Sequence, residues 1–163
     1  MAAQRTEALL ELIHATGLDC VVVGGVAAVA HGATTATRDL DVAMEFSPDN
    51  LQRLMTALAP YHPHHATRPE LGVIVASPAS LAQYRLLLLD TDLGRLDVLS
   101  RVEPIGAPPQ LKTVSLELLP GRTFRVIDLE QLIAVKVHVG RAKDRIVEAE
   151  LRFVLAARNP TKA

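Results

Sequence analysis

The sequence predicts an α/β (α+β) fold: a mixed, mostly antiparallel sheet of about five strands, with flanking helices and a helical C-terminus. Three observations carry that expectation. Segments with apolar residues at helical spacing alternate with short β-branched or strictly alternating segments. A strand-like run ending at Val23 meets Gly24-Gly25 and passes directly into an alanine-rich helix. Two further helical patterns follow Asp128.

The elements follow in order. Residues 4–16 place Ala8, Leu9, Leu12 and Ile13 at helical spacing, and Gly17 stops that helix because glycine enters the left-handed region freely. Residues 19–23 read as a buried strand and residues 26–31 as a short helix ended by Gly32. Over 39–45, Leu40, Val42 and Met44 alternate with Asp39, Asp41 and Ala43, the pattern of a strand with one buried face. Ser47 caps and Pro48 opens a helix running to about residue 59. Three prolines and three histidines make 60–70 a loop. Strands follow at 72–76, 84–90 and 95–99, the last two joined by a turn at 90–94. A short Pro-rich linker, 106–109, precedes a hairpin at 113–126 turned by Pro120-Gly121. Asp128 with Gln131 resembles a capping box opening a helix to about residue 139, Gly140 breaks it, and a last helix covers 142–157. A single domain over 1–163 is expected.

Composition narrows the function classes. Apolar residues make up 49% and charged residues 21%, which suits a globular chain rather than a disordered one. A net charge of −1 argues against bulk DNA binding. The lone Cys20 excludes an intramolecular disulfide and an all-cysteine metal site, and fits a reducing compartment. The longest apolar stretches, 20–30 and 86–89, fall short of the ~18–20 residues of a spanning helix. Arg5, Glu7 and Glu11 interrupt any signal core, so a cytoplasmic protein with no membrane partner is expected. Residues 136–163 hold seven Lys/Arg against three acids, a local +4 that leaves −5 on the rest. A basic C-terminal helical face therefore adjoins an acidic body.

The chemistry concentrates in two places. Gly24-Gly25 lie between a strand and a helix, where absent Cβ atoms and free N–H groups at a helix start suit a phosphate. Asp39 and Asp41 then lie two apart on one strand, so both point to one face, with Cα atoms roughly 6.5–7 Å apart. Two carboxylates there repel and are costly to desolvate unless a cation joins them, and oxygen donors suit Mg²⁺. Asp97 has the same setting, opposite in facing to Leu96 and Val98. If its strand lies beside 39–45, three acids converge. Three acids with two metals about 3.5–4 Å apart make a phosphoryl- or nucleotidyl-transfer site, with Asp97 as candidate base.

These residues resemble a known family. Gly24-Gly25, then Asp39-Leu40-Asp41, then Asp97 on a later strand are similar to the nucleotidyltransferase fold of the DNA polymerase β superfamily. Within it, residues 24–32 and 36–42, with the run from Asp128 through Lys136, Arg141, Lys143 and Asp144, resemble minimal bacterial nucleotidyltransferases and the core of abortive-infection type IV toxins. The resemblance covers about residues 5–157. It implies that Gly24 and Gly25 meet the nucleotide phosphates, that Asp39 and Asp41 hold metal, and that Asp97 completes the site. It also implies that Lys136, and less directly Lys143, face the triphosphate. Departures exist: the second glycine is often serine in the family, and the nearest match to a further acid beyond the Lys-Asp pair is Glu148. The extra helical domain of the longer toxins is not expected here.

Alternatives stand beside each reading. Asp90-Thr91-Asp92 precedes Gly94 and reads as a turn rather than a second site. Asp97 has Arg95 and Arg101 as alternative ion-pair partners, Lys136 reads otherwise as a solvated helix lysine, and Arg38 either reaches a phosphate or pairs with Asp39. His31 suits a helix C-terminus, and His62, His64 and His65 suit a surface loop. The first functional expectation is Mg²⁺-dependent transfer of a nucleoside monophosphate from an NTP to a protein or RNA acceptor, in a toxin–antitoxin setting. The second is a catalytically weak nucleotidyltransferase-like antitoxin acting by contact with a cognate partner. The third is an antibiotic nucleotidyltransferase. The five aromatic residues, three Phe and two Tyr, weaken the RNA and antibiotic readings, both of which favour stacking, and leave a protein acceptor open.

Overall fold

The computed structural model describes residues 2–162. Chain order runs α1 (Thr6–Thr16), β1 (Cys20–Val23), α2 (Gly24–His31), β2 (Asp39–Met44), α3 (Pro48–Leu58), β3 (His64–His65), α4 (Pro78–Leu81), β4 (Leu86–Thr91), β5 (Gly94–Leu99), β6 (Thr113–Leu119), β7 (Arg122–Ile127), α5 (Leu129–Val139) and α6 (Ala142–Arg158). The strands form one mixed sheet in the order β3-β4-β5-β2-β1-β7-β6. Four neighbouring pairs are antiparallel; β2 with β5 and β1 with β7 are parallel.

Local chemistry sets most of these boundaries. Gly17 takes φ 66° and ends α1, and Gly140 does the same for α5. Ser47 accepts the Asn50 N–H and Pro48 occupies the first turn of α3. Asp128 Oδ1 accepts the N–H groups of Glu130 and Gln131 at the start of α5. The return half of the expected capping box is not made: the Gln131 side chain accepts the Lys112 N–H instead, tying α5 to the chain entering β6.

One face of the sheet is the main core. Leu40 and Val42 of β2 stand in register with Leu96 and Val98 of β5, and all four are buried. α1 contributes Leu9, Leu10 and Ile13, and α3 contributes Leu51, Leu54 and Leu58 at i, i+3, i+7 spacing. The opposite face carries Asp39, Asp41, Arg95 and Asp97, since side chains alternate along a strand. α2 packs against β1 and β2, and α5 and α6 pack against α2, so this second face is only partly covered. Leu86 of β4 is 44% exposed at its open end. His31, at the end of α2, is buried; its Nε2 lies 2.7 Å from the Ile127 carbonyl, and Arg158 donates to its carbonyl oxygen. It joins helix, sheet and α6 rather than facing solvent.

The sheet has seven strands where about five were expected. His64 and His65, inside the Pro-rich stretch, pair with Asp90 and Leu89 as β3. The expected strand at 72–76 is reduced to a single bridge from Val73 to His64. The two-residue β3 has no periodic signature of its own and pairs along the edge that β4 offers; Val73 in turn bridges to His64.

Candidate metal centre and cleft

The parallel pairing of β2 with β5 builds the site. Its register sets Asp41 beside Asp97 and Asp39 beside Arg95. Asp39 and Asp41 share a face by alternation, so three carboxylates converge. One oxygen from each lies within 4.8 Å of the others. Among the described residues, no other group of three or more metal-ligating side chains converges in this way.

The electrostatics of the triad are adverse without a cation. Burial first, then the charges of Asp39 and Asp97, push the Asp41 carboxyl up to about 7, against a partial counter-effect from Lys136 and the Gly25 N–H. Burial also raises Asp97, although a hydrogen bond from Arg95 opposes it. Arg95 Nε donates to Asp97 Oδ1 at 2.6 Å. Asp97 therefore has both of its alternatives at once: it pairs with Arg95 and it converges with Asp39 and Asp41.

The glycine pair is explained by the acids as much as by any ligand. Gly24 has φ 65°, and a Cβ there would overlap Asp41 Oδ2. A Cβ on Gly25 would sit 2.5 Å from Thr37 Oγ1. The room left by the missing side chains is filled by Asp41 and Thr37. Thr37 Oγ1 donates to the Asp39 carbonyl at 3.1 Å, and Glu150 of α6 accepts from the Thr34 N–H, so the segment entering β2 is held at both ends.

A cleft of about 650 Å³ opens over the triad. Its lining joins Gly24, Gly25, Asp39, Asp41 and Asp97 with the basic residues Arg38, Lys136, Arg141 and Lys143. Val102, Ile127, Leu132 and Val135 form an apolar wall. Arg38 and Lys143 are exposed, and among the described residues neither forms an ion pair, so Arg38 does not pair with Asp39. Lys136 is different. Its Nζ lies 3.1 Å from Asp144 Oδ1, and Arg141 Nε lies 2.7 Å from Asp144 Oδ2. Asp144 is buried; burial alone would raise its carboxyl, but the two hydrogen bonds outweigh that and hold it below the usual range. Lys136 is therefore not a solvated helix lysine; Asp144 holds its ammonium at the cleft.

Sequence reasoning gave no site role to three members of this constellation, Thr37, Arg141 and Asp144. Asp144 organises Lys136 and Arg141; a signal was its position eight residues after Lys136 and three after Arg141, across the Gly140 break. Thr37 lies in the 36–42 stretch that carries the resemblance, with no individual signal for its role. Glu148, the match offered for a further acid, pairs with Arg152 at 2.8 Å and does not line the cleft. Asp92 does lie in a turn, closed by Thr91 Oγ1 on Gly94, and pairs with His62 at 2.6 Å. Asp90 does not: it stands in β4 directly across from Arg95.

No protein-family model matches the chain, and no curated protein matches it. Among the described residues, no helix is long and apolar enough to cross a membrane.

Proposed function

We propose that this protein is a Mg²⁺-dependent nucleotidyltransferase that moves a nucleoside monophosphate from an NTP to a protein or RNA acceptor. One observation carries the reading: the in-register β2/β5 pairing gathers Asp39, Asp41 and Asp97 within 4.8 Å at the floor of a cleft with a basic wall. The donor set fits a hard divalent cation. All three donors are carboxylate oxygens, and the triad is electrostatically strained without positive charge, as the upward shift of Asp41 to about 7 reflects. Asp39, Asp41 and Asp97 would hold the metal, and two ions bound there would supply polarisation of the phosphoryl oxygens and a lowered pKa for an attacking hydroxyl.

The side chains supply the rest. Arg38 and Lys143, without ion pairs among the described residues, and Lys136 and Arg141, braced by Asp144, neutralise the triphosphate along the cleft. Asp97, with its carboxyl raised by burial, accepts the proton of the acceptor hydroxyl. The acceptor oxygen forms its bond to the α-phosphorus as the bond to the β-phosphate oxygen breaks, and pyrophosphate leaves with the electron pair. The apolar wall seats the nucleoside without aromatic stacking. A cytoplasmic toxin–antitoxin pair is the setting proposed for this activity.

A second reading, a catalytically weak nucleotidyltransferase-like antitoxin that acts by contact with its partner, is favoured by a different observation. One group assigned to phosphates is already engaged: Lys136, by Asp144. The deciding experiment is incubation with α-labelled NTPs, Mg²⁺ and cell lysate. Label on a protein or RNA, lost in Asp97→Asn, supports the transferase; partner capture that survives Asp97→Asn with no label transferred supports the second reading. An antibiotic acceptor would be revealed by label on an aminoglycoside offered in place of lysate.

A further inference from the structure

Arg95 stands between two carboxylates on the open face of the sheet. Asp97 is two residues along the same strand, and Asp90 is directly opposite on antiparallel β4. The guanidinium is bonded to the first: Nε lies 2.6 Å from Asp97 Oδ1. It is close to the second: Nη1 lies 4.0 Å from Asp90 Oδ1. That Asp90 oxygen is buried and accepts no hydrogen bond among the described residues. Buried carboxylate oxygens are normally paired, so an orphan beside a guanidinium marks an unfilled seat. The backbone of Arg95 is held on both sides by Gln4, whose Oε1 accepts its N–H at 2.7 Å and whose Nε2 donates to its carbonyl at 3.2 Å. Only the side chain is free to shift, and about 1 Å of movement brings Nη1 within hydrogen-bond reach of Asp90.

We propose that Arg95 is a resident counter-cation with two seats: it neutralises Asp97 when the triad is metal-free and moves to Asp90 when a divalent cation joins the triad. This rests on the reading of Asp39, Asp41 and Asp97 as a divalent-cation site. A guanidinium and a divalent cation cannot share Asp97 without repulsion, and Asp97 Oδ1 is the oxygen that Arg95 occupies. Asp90, across from Arg95 on β4, gives the displaced charge a destination instead of leaving it to oppose the incoming cation. Asp90 is thus a positioning residue that acts through Arg95. It belongs to neither the turn nor the metal shell. The device lets one cleft be stable both with and without its metal.

The test is a Mn²⁺ titration of the whole protein, read by the free-ion paramagnetic signal, in about 0.3 M salt to screen distant charges. Wild type, Arg95→Gln, Asp90→Asn, Asp90→Glu and the Arg95→Gln/Asp90→Asn double variant are compared. Arg95→Gln is expected to bind Mn²⁺ about fivefold tighter or more, because the competitor is gone. Asp90→Asn is expected to bind about threefold weaker or more, Asp90→Glu to restore wild-type binding, and the Asp90→Asn effect to fall below about twofold in the Arg95→Gln background. Equal or weaker binding in Arg95→Gln overturns the proposal. So does an Asp90→Asn effect of the same size in both backgrounds, which would make Asp90 a remote charge and no more. Absence of Mn²⁺ binding in wild type removes the cation-site reading and this inference together. Melting in EDTA checks folding independently: Arg95→Gln melts below wild type there, and the gap narrows in saturating Mn²⁺.

Discussion

Replacing Asp41 by Asn tests the electrostatic core of the site. The Asp41 carboxyl is pushed up to about 7 from an ordinary 3.8, chiefly by burial and then by its two acidic neighbours. A carboxyl raised on folding destabilises the native state as pH climbs. Below pH 3.8 both states hold the proton and nothing is lost. Between 3.8 and about 7 the native state keeps a proton that the unfolded chain has released, so stability falls with rising pH and then levels off. Three pKa units at 1.36 kcal/mol each set the full penalty at about 4 kcal/mol, an upper bound. Asn cannot ionise, keeps an oxygen for the Gly25 N–H, and removes repulsion with Asp39 and Asp97. In EDTA at pH 8, urea unfolding should find Asp41→Asn more stable than wild type by about 2–4 kcal/mol. Near pH 4.5 the difference should shrink below about 1 kcal/mol. A wild-type stability that is flat across this range, or an Asp41→Asn protein less stable than wild type at pH 8, would refute the reasoning.

Three further outcomes follow from named contacts. Lys136→Met should lower unfolding free energy by about 1–3 kcal/mol, because buried Asp144 keeps only Arg141, and should weaken Mg²⁺·NTP binding about tenfold; unchanged values in both assays would make Lys136 dispensable. Gly24→Ala should cost about 1–3 kcal/mol from its φ of 65° and should weaken Mn²⁺ binding by displacing Asp41, measured by chemical unfolding and metal titration. Glu148→Gln should change stability by less than about 0.5 kcal/mol and leave nucleotide binding unaltered, since its only ion-pair partner among the described residues is Arg152.

The parts of this architecture that were legible in the sequence are those written in local period. The alternation of Leu40, Val42 and Met44 with Asp39, Asp41 and Ala43 identified β2 and which face its acids take. Glycines at 17 and 140 marked helix ends because a positive φ is needed there. Asp97 was legible as a strand acid, but its place beside Asp41 depends on a parallel register across some fifty intervening residues, which no local pattern encodes. Asp90 was read as a turn residue because Asp-x-Asp before glycine is common turn chemistry, yet β4 extends through Thr91 and leaves only Asp92 and Leu93 outside the strands. The bracing of Lys136 by Asp144 crosses the Gly140 break, so only the i, i+3 spacing of Arg141 and Asp144 hinted at it. β3 exists only because β4 presents a free edge to His64 and His65.

The measurement that bears most directly on the transferase reading is calorimetry of NTP binding with and without Mg²⁺, in wild type and in Asp39→Asn and Asp41→Asn. Three adjacent carboxylates should repel a bare triphosphate and welcome a metal-bound one. The expected result is weak binding of either component alone, binding of the pair about a hundredfold tighter, and loss of that gain in both variants. Equal NTP affinity with and without divalent metal, or a gain that persists in both variants, would contradict the assignment of Asp39, Asp41 and Asp97 as the site that joins metal to nucleotide.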